Sequence, residues 1–406
     1  MGILVQKFGG SSMATPARRE QVIGHIQEAK AAGYQNVVVV SAMGRRGEPY
    51  ATDTLLQLVG YGKGMHPRDL DLLMSCGEVI AAAVLVYELA GAGQEAAVLT
   101  GGQAGILTDA VHGSARIIEV KPDRILQLLS QGVVPVVAGF QGRTRDGEIT
   151  TLGRGSGDTS AVALGVALQA EMVEIYTDVD GVMTADPRVE PNARRLETVT
   201  YREIAEMAHL GAKVIHPRAV EIAMEGHIPL RIRATGSASP GTLVKGAAGQ
   251  VEIRGDRVVT GIAHVGGVVQ VQLETTADFN RSELGLAIFR CLAEAGISLD
   301  MIYVSPRRIS FIIEHRWSKQ AEEVLREFPV KVQIESGMAK VSAVGAGMRG
   351  VPGVMARVVS ALQRAGVNIY QTTDSHANIS CLVREKDVEA AVHALHSEFQ
   401  LGRSET

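Results

Sequence analysis

The chain reads as an α/β protein: a largely parallel sheet sandwiched by helices over residues 1–245, followed by two small βαββαβ modules. Three observations predict this. Apolar, β-branched runs alternate with helical stretches through the first part; a glycine turn joins the first strand to the first helix; and the second part repeats itself at an offset of 70 residues. With 406 residues the chain is long enough for several domains, each with its own core.

The first strand signal is the apolar run Ile3 to Val5. Lys7-Phe8-Gly9-Gly10-Ser11-Ser12 follows, and then a helix from Pro16 to Ala32 with Thr15 as N-cap and Pro16 at the first helical position. Strand, glycine turn and helix together aim backbone N–H groups at a phosphate. The Walker A spacing is absent, so this is not an ordinary P-loop, and a bland tight turn remains an alternative. Val37–Val40, Val133–Val137 and Val173–Tyr176 are continuous runs suited to strands buried on both faces. Helical stretches fall between and after them, at 67–90, 159–169, 201–210 and 217–225. Residues 246–257, in a small and polar stretch, read as a linker.

The repeat matches Ile288–Leu299 to Val358–Ile369. Each copy reads helix, glycine turn, strand, strand, helix. The second copy ends in a helix, Val388 to Phe399, and a polar tail, so it lacks its last strand. A strand-like segment, Val258 to His264, stands before the first copy begins. The expectation is that this orphan strand completes the second module, making it 258–265 plus 337–406, with the first module, 266–336, inserted within it.

Composition narrows the function classes. The net charge is −4 and the basic residues are scattered, which leaves no electrostatic footprint for nucleic acid or a membrane surface. No apolar run reaches the ~18–20 residues needed to span a bilayer. No signal peptide is expected, and Gln6 stands where a myristoylation motif needs Ser or Thr. The three cysteines, Cys76, Cys291 and Cys381, lie far apart, as reduced residues in a cytoplasmic protein do. No residues are assigned to a resident metal.

Four further segments can carry chemistry. Gly153-Arg154-Gly155-Ser156-Gly157-Asp158-Thr159-Ser160 places Arg154 and Asp158 at a second glycine turn opening a helix, where anions gather. Asp158 either caps that helix or positions Lys7 and a metal. Thr177-Asp178-Val179-Asp180-Gly181-Val182, then Ala185-Asp186-Pro187-Arg188, follow a strand where an α/β sheet binds its ligand, although surface turns look the same. In Gly211-Ala212-Lys213-Val214-Ile215-His216-Pro217-Arg218, Lys213 either reaches phosphate or is simply solvated. Glu78 lies in an apolar helix where a lone carboxylate is costly, so either a substrate ammonium group or an internal salt bridge is its partner. Gly345-Ala346-Gly347-Met348-Arg349-Gly350 matches a dinucleotide fingerprint, with Asp374 further on. Val351-Pro352-Gly353 intervenes before the helix and no doubly wound sheet fits the repeat, so that reading is set aside.

Taken in order, Lys7–Ser12, Thr52-Asp53-Thr54-Leu55, Ser75-Cys76-Gly77-Glu78, Val134–Gly142, Gly153–Ser160, Thr177–Gly181 with Asp186-Pro187-Arg188, and Gly211–Pro217 resemble the aspartokinases along essentially the whole chain. The likeness is to the monofunctional, diaminopimelate-sensitive members of Bacillus and its relatives. It implies an amino-acid-kinase-type sheet followed by two nested ACT domains, and transfer of phosphate from ATP, with Mg²⁺, to L-aspartate as the first step toward lysine, diaminopimelate, threonine and methionine. By carry-over, Lys7 and the Gly9 and Gly10 amides hold the transferring phosphoryl group, and Asp158 orients Lys7 and helps organise Mg²⁺ as the fourth catalytic residue. Ser41, Thr52, Glu78, Arg154 and Ser156 bind aspartate. Lys7, Gly10, Ser11, Thr177, Asp178, Asp186, Arg188 and Lys213 form the nucleotide side. The effector, one of diaminopimelate, lysine or threonine, is expected at Asp278, Asn280 and Asp300 of the first module. In the second it is expected at Met348, Val351, Pro352, Gly353, Asn368, Ile369 and Asp374. A homodimer through the ACT modules is the expected assembly. Two departures stand out. The family loop reads Gly-Gly-Ser-Asp where this chain has Gly155-Ser156-Gly157-Asp158, and the first module lacks a Pro-Gly turn. The rival readings are another amino-acid kinase, acting on glutamate, acetylglutamate or a nucleotide, and a catalytically inactive amino-acid sensor.

Overall fold

A computed structural model describes residues 2–212, 214–246, 258–275, 279, 283–348 and 350–402. These fall into two compact units. The first holds residues 2–182, 195–208 and 214–246, and the second 183–194, 209–212 and the described residues from 258 onward.

An eight-stranded sheet organises the first unit, in the order Thr198–Thr200, Thr242–Lys245, Leu230–Ala234, Met172–Thr177, Ile3–Phe8, Gln35–Val40, Val134–Ala138, Ala96–Leu99. Leu230–Ala234 runs antiparallel to Thr242–Lys245, and every other neighbouring pair is parallel. The β-branched runs are buried on both faces, as their composition requires. Phe8 lies level with both Val40 and Tyr176, so the three central strands end within one residue of each other and bring Gly9, Ser41 and Thr177 to the same edge of the sheet.

The faces of the first strand divide the work. Phe8 stacks on Tyr176 with ring centroids 4.5 Å apart, and Gln6 donates to the His25 carbonyl of helix Pro16–Ala31. That helix starts as its sequence asks, with Arg18 N–H donating to Thr15 Oγ1 at 3.3 Å. Lys7, on the opposite face, meets the start of helix Gly157–Ala167. Helix Pro67–Gly91 has 25 residues and is long and apolar enough to cross a membrane by length and composition alone, contrary to the sequence expectation. Its Ala81, Ala82, Leu85 and Leu89 pack with Phe8, Val38 and Val136, the pattern of a core helix. A second, four-stranded sheet, ordered Ile117–Val120, Ile106–Thr108, Gln141–Arg143, Ile149–Thr151, has strands too short to show a period in sequence.

The second unit is built on a six-stranded antiparallel sheet whose two central strands, Gly261–Glu274 and Lys331–Val344, have 14 residues each. Residues 261–265 pair with 340–344 and residues 270–274 with 331–335. The register shifts between them at Gly266-Gly267. Gly267 (φ 68°) and Gly337 (φ 70°) are related by the 70-residue repeat and mark the crossing point in each strand. Where the sequence reading divides modules at 265/266 and 336/337, the backbone therefore continues, and two strands serve two cores. Val271, Ile288, Leu292 and Phe311 belong to one core; Val341, Val358, Leu362 and Cys381 belong to the other.

The sequence reading also assigned everything up to 245 to the first part. Residues 183–194 instead pack within the second unit. Ala185 is buried in its apolar core, Ile262 N–H donates to Thr184 O at 2.7 Å, and Arg194 Nε donates to Leu401 O at 2.9 Å. Glu190 Oε2 lies 2.6 Å from His393 Nδ1 and 3.8 Å from His396 Nδ1.

Candidate active site

Lys7 ends the first strand with its Nζ 2.6 Å from Asp158 Oδ1, and both side chains are nearly buried. Asp158 sits in the first turn of helix Gly157–Ala167, and its second oxygen accepts the His216 N–H at 3.1 Å. No side chain caps that helix, so of the two readings of Asp158 the lysine pairing is the one observed. The pair fixes a cation beside the positive end of a helix, and such an arrangement favours an anionic ligand.

The glycine turn differs from expectation in one respect. Gly9 N–H donates to the Tyr176 carbonyl at 3.2 Å and is committed to the sheet. That leaves the amides that open the short helix Gly10–Met13, those of Gly10 and half-buried Ser11, as the ones an anion meets. A Cβ at Gly10 would lie 2.7 Å from the Ala42 carbonyl and 2.8 Å from that of Gly44, so only glycine lets these backbones approach.

Glu78 faces the same centre. Its Oε1 accepts the Ala42 N–H at 3.1 Å, and its buried Oε2 has no hydrogen-bond partner. Burial pushes the carboxyl up to about 8, against the opposing pull of the Ala42 amide and the Lys7 charge. The internal salt bridge considered from sequence does not form at Glu78 among the described residues. Burial therefore favours the protonated carboxyl, and a ligand cation in contact with it would draw it into the ionised form.

Other residues gather at the rim. Arg154 Nη1 donates to Asp53 Oδ1 at 2.6 Å, next to Thr52 at the start of helix Thr52–Leu58. Ser156, fully buried, donates its hydroxyl to the Gly153 carbonyl, so that donor is spent within its own loop. Ser41 N–H donates to Phe8 O, and a Cβ at Gly157 would lie 2.9 Å from Ser41 Oγ and 3.2 Å from Lys7 Cε. Thr177 Oγ1 donates to Asp178 Oδ1 at 3.1 Å, and Arg45 pairs with the other Asp178 oxygen at 2.5 Å. Partial burial pushes the Asp178 carboxyl up, but hydrogen bonds from its own backbone, Thr177 and Arg45 hold it below the usual range.

Asp186 and Arg188 belong to the second unit, where Arg188 forks onto Asp186 at 3.0 and 2.7 Å. Lys213, Asp278, Asn280 and the linker residues 247–257 lie outside the described residues. Of the effector positions, Met348 is buried in the second core and Ile369 packs against it. Val351, Pro352, Asn368 and Asp374 are exposed, and Gly353 is the N-cap of helix Val354–Arg364. Asp300 pairs with Lys340 and accepts the Met301 N–H at 2.7 Å.

Residues 2–234 match the Amino acid kinase family, and residues 333–397 match the ACT domain. Aspartokinase 1 of Bacillus subtilis is 47% identical over 99% of this chain and 100% of its own length. The chain belongs to the aspartokinases. Aspartokinase of Corynebacterium glutamicum is 40% identical over 99% of this chain and 97% of its own. The structure of E. coli aspartokinase III in complex with aspartate and ADP superposes with a TM-score of 0.79 at 25% identity, over 98% and 99% of the two chains. This aspartokinase is an ATP-dependent kinase that phosphorylates the carboxyl group of aspartate.

Sequence reasoning passed over Arg45, His216 and the backbone of Ala42. Arg45 carried no motif, and the other two act through main-chain groups that any side chain supplies.

Proposed function

We propose that this aspartokinase transfers the γ-phosphoryl group of ATP to the side-chain carboxylate of L-aspartate at the crevice over Lys7, Asp158 and Glu78. The observation that carries the proposal is the Lys7–Asp158 pair beside a glycine-opened backbone, with the unpartnered Glu78 oxygen facing the same centre. The attacking carboxylate, with an ordinary pKa of about 3.9, is already ionised at neutral pH, so the reaction needs no general base. Catalysis then reduces to positioning and charge stabilisation. Lys7, held straight by Asp158, meets the charge that develops on the transferring oxygens, with the Gly10 and Ser11 amides beside it. Glu78 takes the substrate ammonium group. Arg154, released from Asp53, clamps a carboxylate bidentately, with Thr52, Ser41 and the Ser156 loop around it. Thr177 and Asp178 lie on the nucleotide side, with Asp186, Arg188 and Lys213 assigned there by family likeness.

Mg²⁺ fits this site as a companion of ATP. Among the described residues no group of three or more His, Cys, Asp or Glu could hold a metal ion, so its ligands would be phosphate oxygens, water and a carboxylate such as Asp158. When bound, the ion neutralises charge on the phosphate oxygens.

The ACT modules support inhibition by an end product of the aspartate pathway: diaminopimelate, lysine or threonine. E. coli aspartokinase III, in complex with lysine and aspartate, superposes with a TM-score of 0.77 at 25% identity. The edge strand Asp300–Val304 leaves Ile302 and Tyr303 exposed, which suits pairing of two chains through their ACT modules. The reading places the enzyme in the cytoplasm, at the first step toward lysine, diaminopimelate, threonine and methionine. The test is ATP and Mg²⁺ with L-aspartate, trapping acyl phosphate with hydroxylamine, then adding each amino acid singly. Hydroxamate formed, and suppressed by one of them, supports the reading. No hydroxamate, with amino-acid binding still measurable by calorimetry, would leave only a sensor.

A further inference from the structure

Asp71 is fully buried and takes no part in the chemistry above. It lies on helix Pro67–Gly91 seven residues before Glu78, two helical turns along the same face. Its carboxylate is the common acceptor for two other segments. Thr151 donates twice, through Oγ1 to Oδ1 at 2.6 Å and through N–H to Oδ2 at 3.0 Å. Gly113 N–H lies 3.0 Å from both oxygens, and His112 Nδ1 lies 2.9 Å from Oδ2.

These partners lead directly to the aspartate-binding rim. Thr151 ends strand Ile149–Thr151, and three residues later the chain reaches Arg154. The Gly113-Ser114 turn lies against Gly153 (φ 91°), and Ala115 N–H donates to Thr151 O at 2.9 Å. Gln141 Nε2 also donates to the Ser75 carbonyl of the same helix.

We propose that Asp71 is a positioning residue that locks the Glu78 helix to the Arg154 loop and so sets the spacing between the two charged anchors of aspartate. This rests on the reading that Glu78 and Arg154 bind aspartate. A carboxylate with three hydrogen-bond donors arranged around it, and the His112 ring nitrogen beside them, holds one geometry strongly, and a neutral amide in its place holds it weakly, because an NH₂ group would face N–H and O–H donors. Aspartate is short, so a small change in that spacing separates the ammonium contact from the carboxylate contact. The nucleotide contacts lie on other elements and are not touched.

The test measures aspartate KM, ATP KM and kcat for Asp71→Asn and Thr151→Val, with Glu78→Gln and Arg154→Lys as references. The Thr151→Val variant removes one donor at constant volume and serves if Asp71→Asn fails to fold. The expected result is an aspartate KM raised about tenfold or more, with ATP KM within about twofold of the parent. If the references raise aspartate KM and neither Asp71→Asn nor Thr151→Val does, the inference is overturned. It is overturned too if the two KM values rise together, which marks general loosening. If the references themselves leave aspartate KM unchanged, the reading of the aspartate site fails first and the inference with it.

Discussion

Aspartate affinity is expected to rise steeply with pH because the ammonium anchor is a buried carboxyl. Burial pushes Glu78 up to about 8 in the free enzyme. Only its ionised form pairs with the substrate ammonium, so the apparent dissociation constant is the intrinsic one divided by the ionised fraction. With that pKa the fraction is about 3% at pH ~6.5 and about 76% at pH ~8.5, an affinity gain of about 25-fold. The substrate remains an ammonium ion over that range and the attacking carboxylate remains ionised, so neither masks the effect. The linkage with stability runs the opposite way. A carboxyl whose pKa is raised on folding contributes stability that is complete below its unfolded value and lost as pH rises through the folded one. Aspartate therefore protects against thermal unfolding more at the higher pH. Calorimetric titration with aspartate, backed by KM at saturating ATP, measures the slope; Glu78→Gln should bind weakly and without pH dependence. A dissociation constant that stays flat across this range, or a Glu78→Gln variant with the parent's slope, refutes the reasoning.

Three further outcomes are expected. Lys7→Met removes the charge facing the transferring oxygens and should lower kcat by about 10²–10³-fold. Because it strands the nearly buried Asp158 carboxylate, it should also lower the thermal midpoint, and adding Asp158→Asn should recover the midpoint without recovering activity. Gly157→Ala puts a methyl 2.9 Å from Ser41 Oγ and 3.2 Å from Lys7 Cε. Overpacking of this kind costs roughly 1–3 kcal/mol, so denaturant unfolding should show the loss, kcat should fall, and restoring the family serine at 157 should be no better. In the second unit, burial holds the His396 pKa down. Burial raises Glu190, but the Asn192 amide and both histidines outweigh it and hold its pKa below the usual range. Both depressed groups make the folded unit lose stability as pH falls, His396 below about 6.5 and Glu190 below its ordinary carboxyl range. Circular dichroism melts between neutral and acidic pH should show the loss, and Glu190→Gln should remove the lower-pH part of it.

The helix starts were legible because they rest on local chemistry. Thr15 and Pro16 cap and open their helix as the sequence suggests, and Pro217 opens the helix expected over 217–225. Buried parallel strands were legible from unbroken β-branched runs. The four-stranded sheet was not, since three- and four-residue strands carry no periodicity, and its pairing is set by distant partners. In the site, the motif residues could be named from sequence, but their states could not. That the Gly9 amide is already spent on Tyr176, and that Arg154 rests on Asp53, depend on residues far away in the chain.

Sequence alone determined the α/β class, the 70-residue repeat and the identity of the charged side chains, because propensity, periodicity and residue chemistry are written locally. Only the tertiary structure decided that Asp158 pairs with Lys7 instead of capping its helix, and that Glu78 keeps one buried oxygen unpartnered. It also decided that residues 183–194 pack into the second unit and that two 14-residue strands serve both of its cores. Each of these turns on which surface a segment is buried against. Burial sets the cost of a charge and the value of a hydrogen bond, and it is a property of the folded whole.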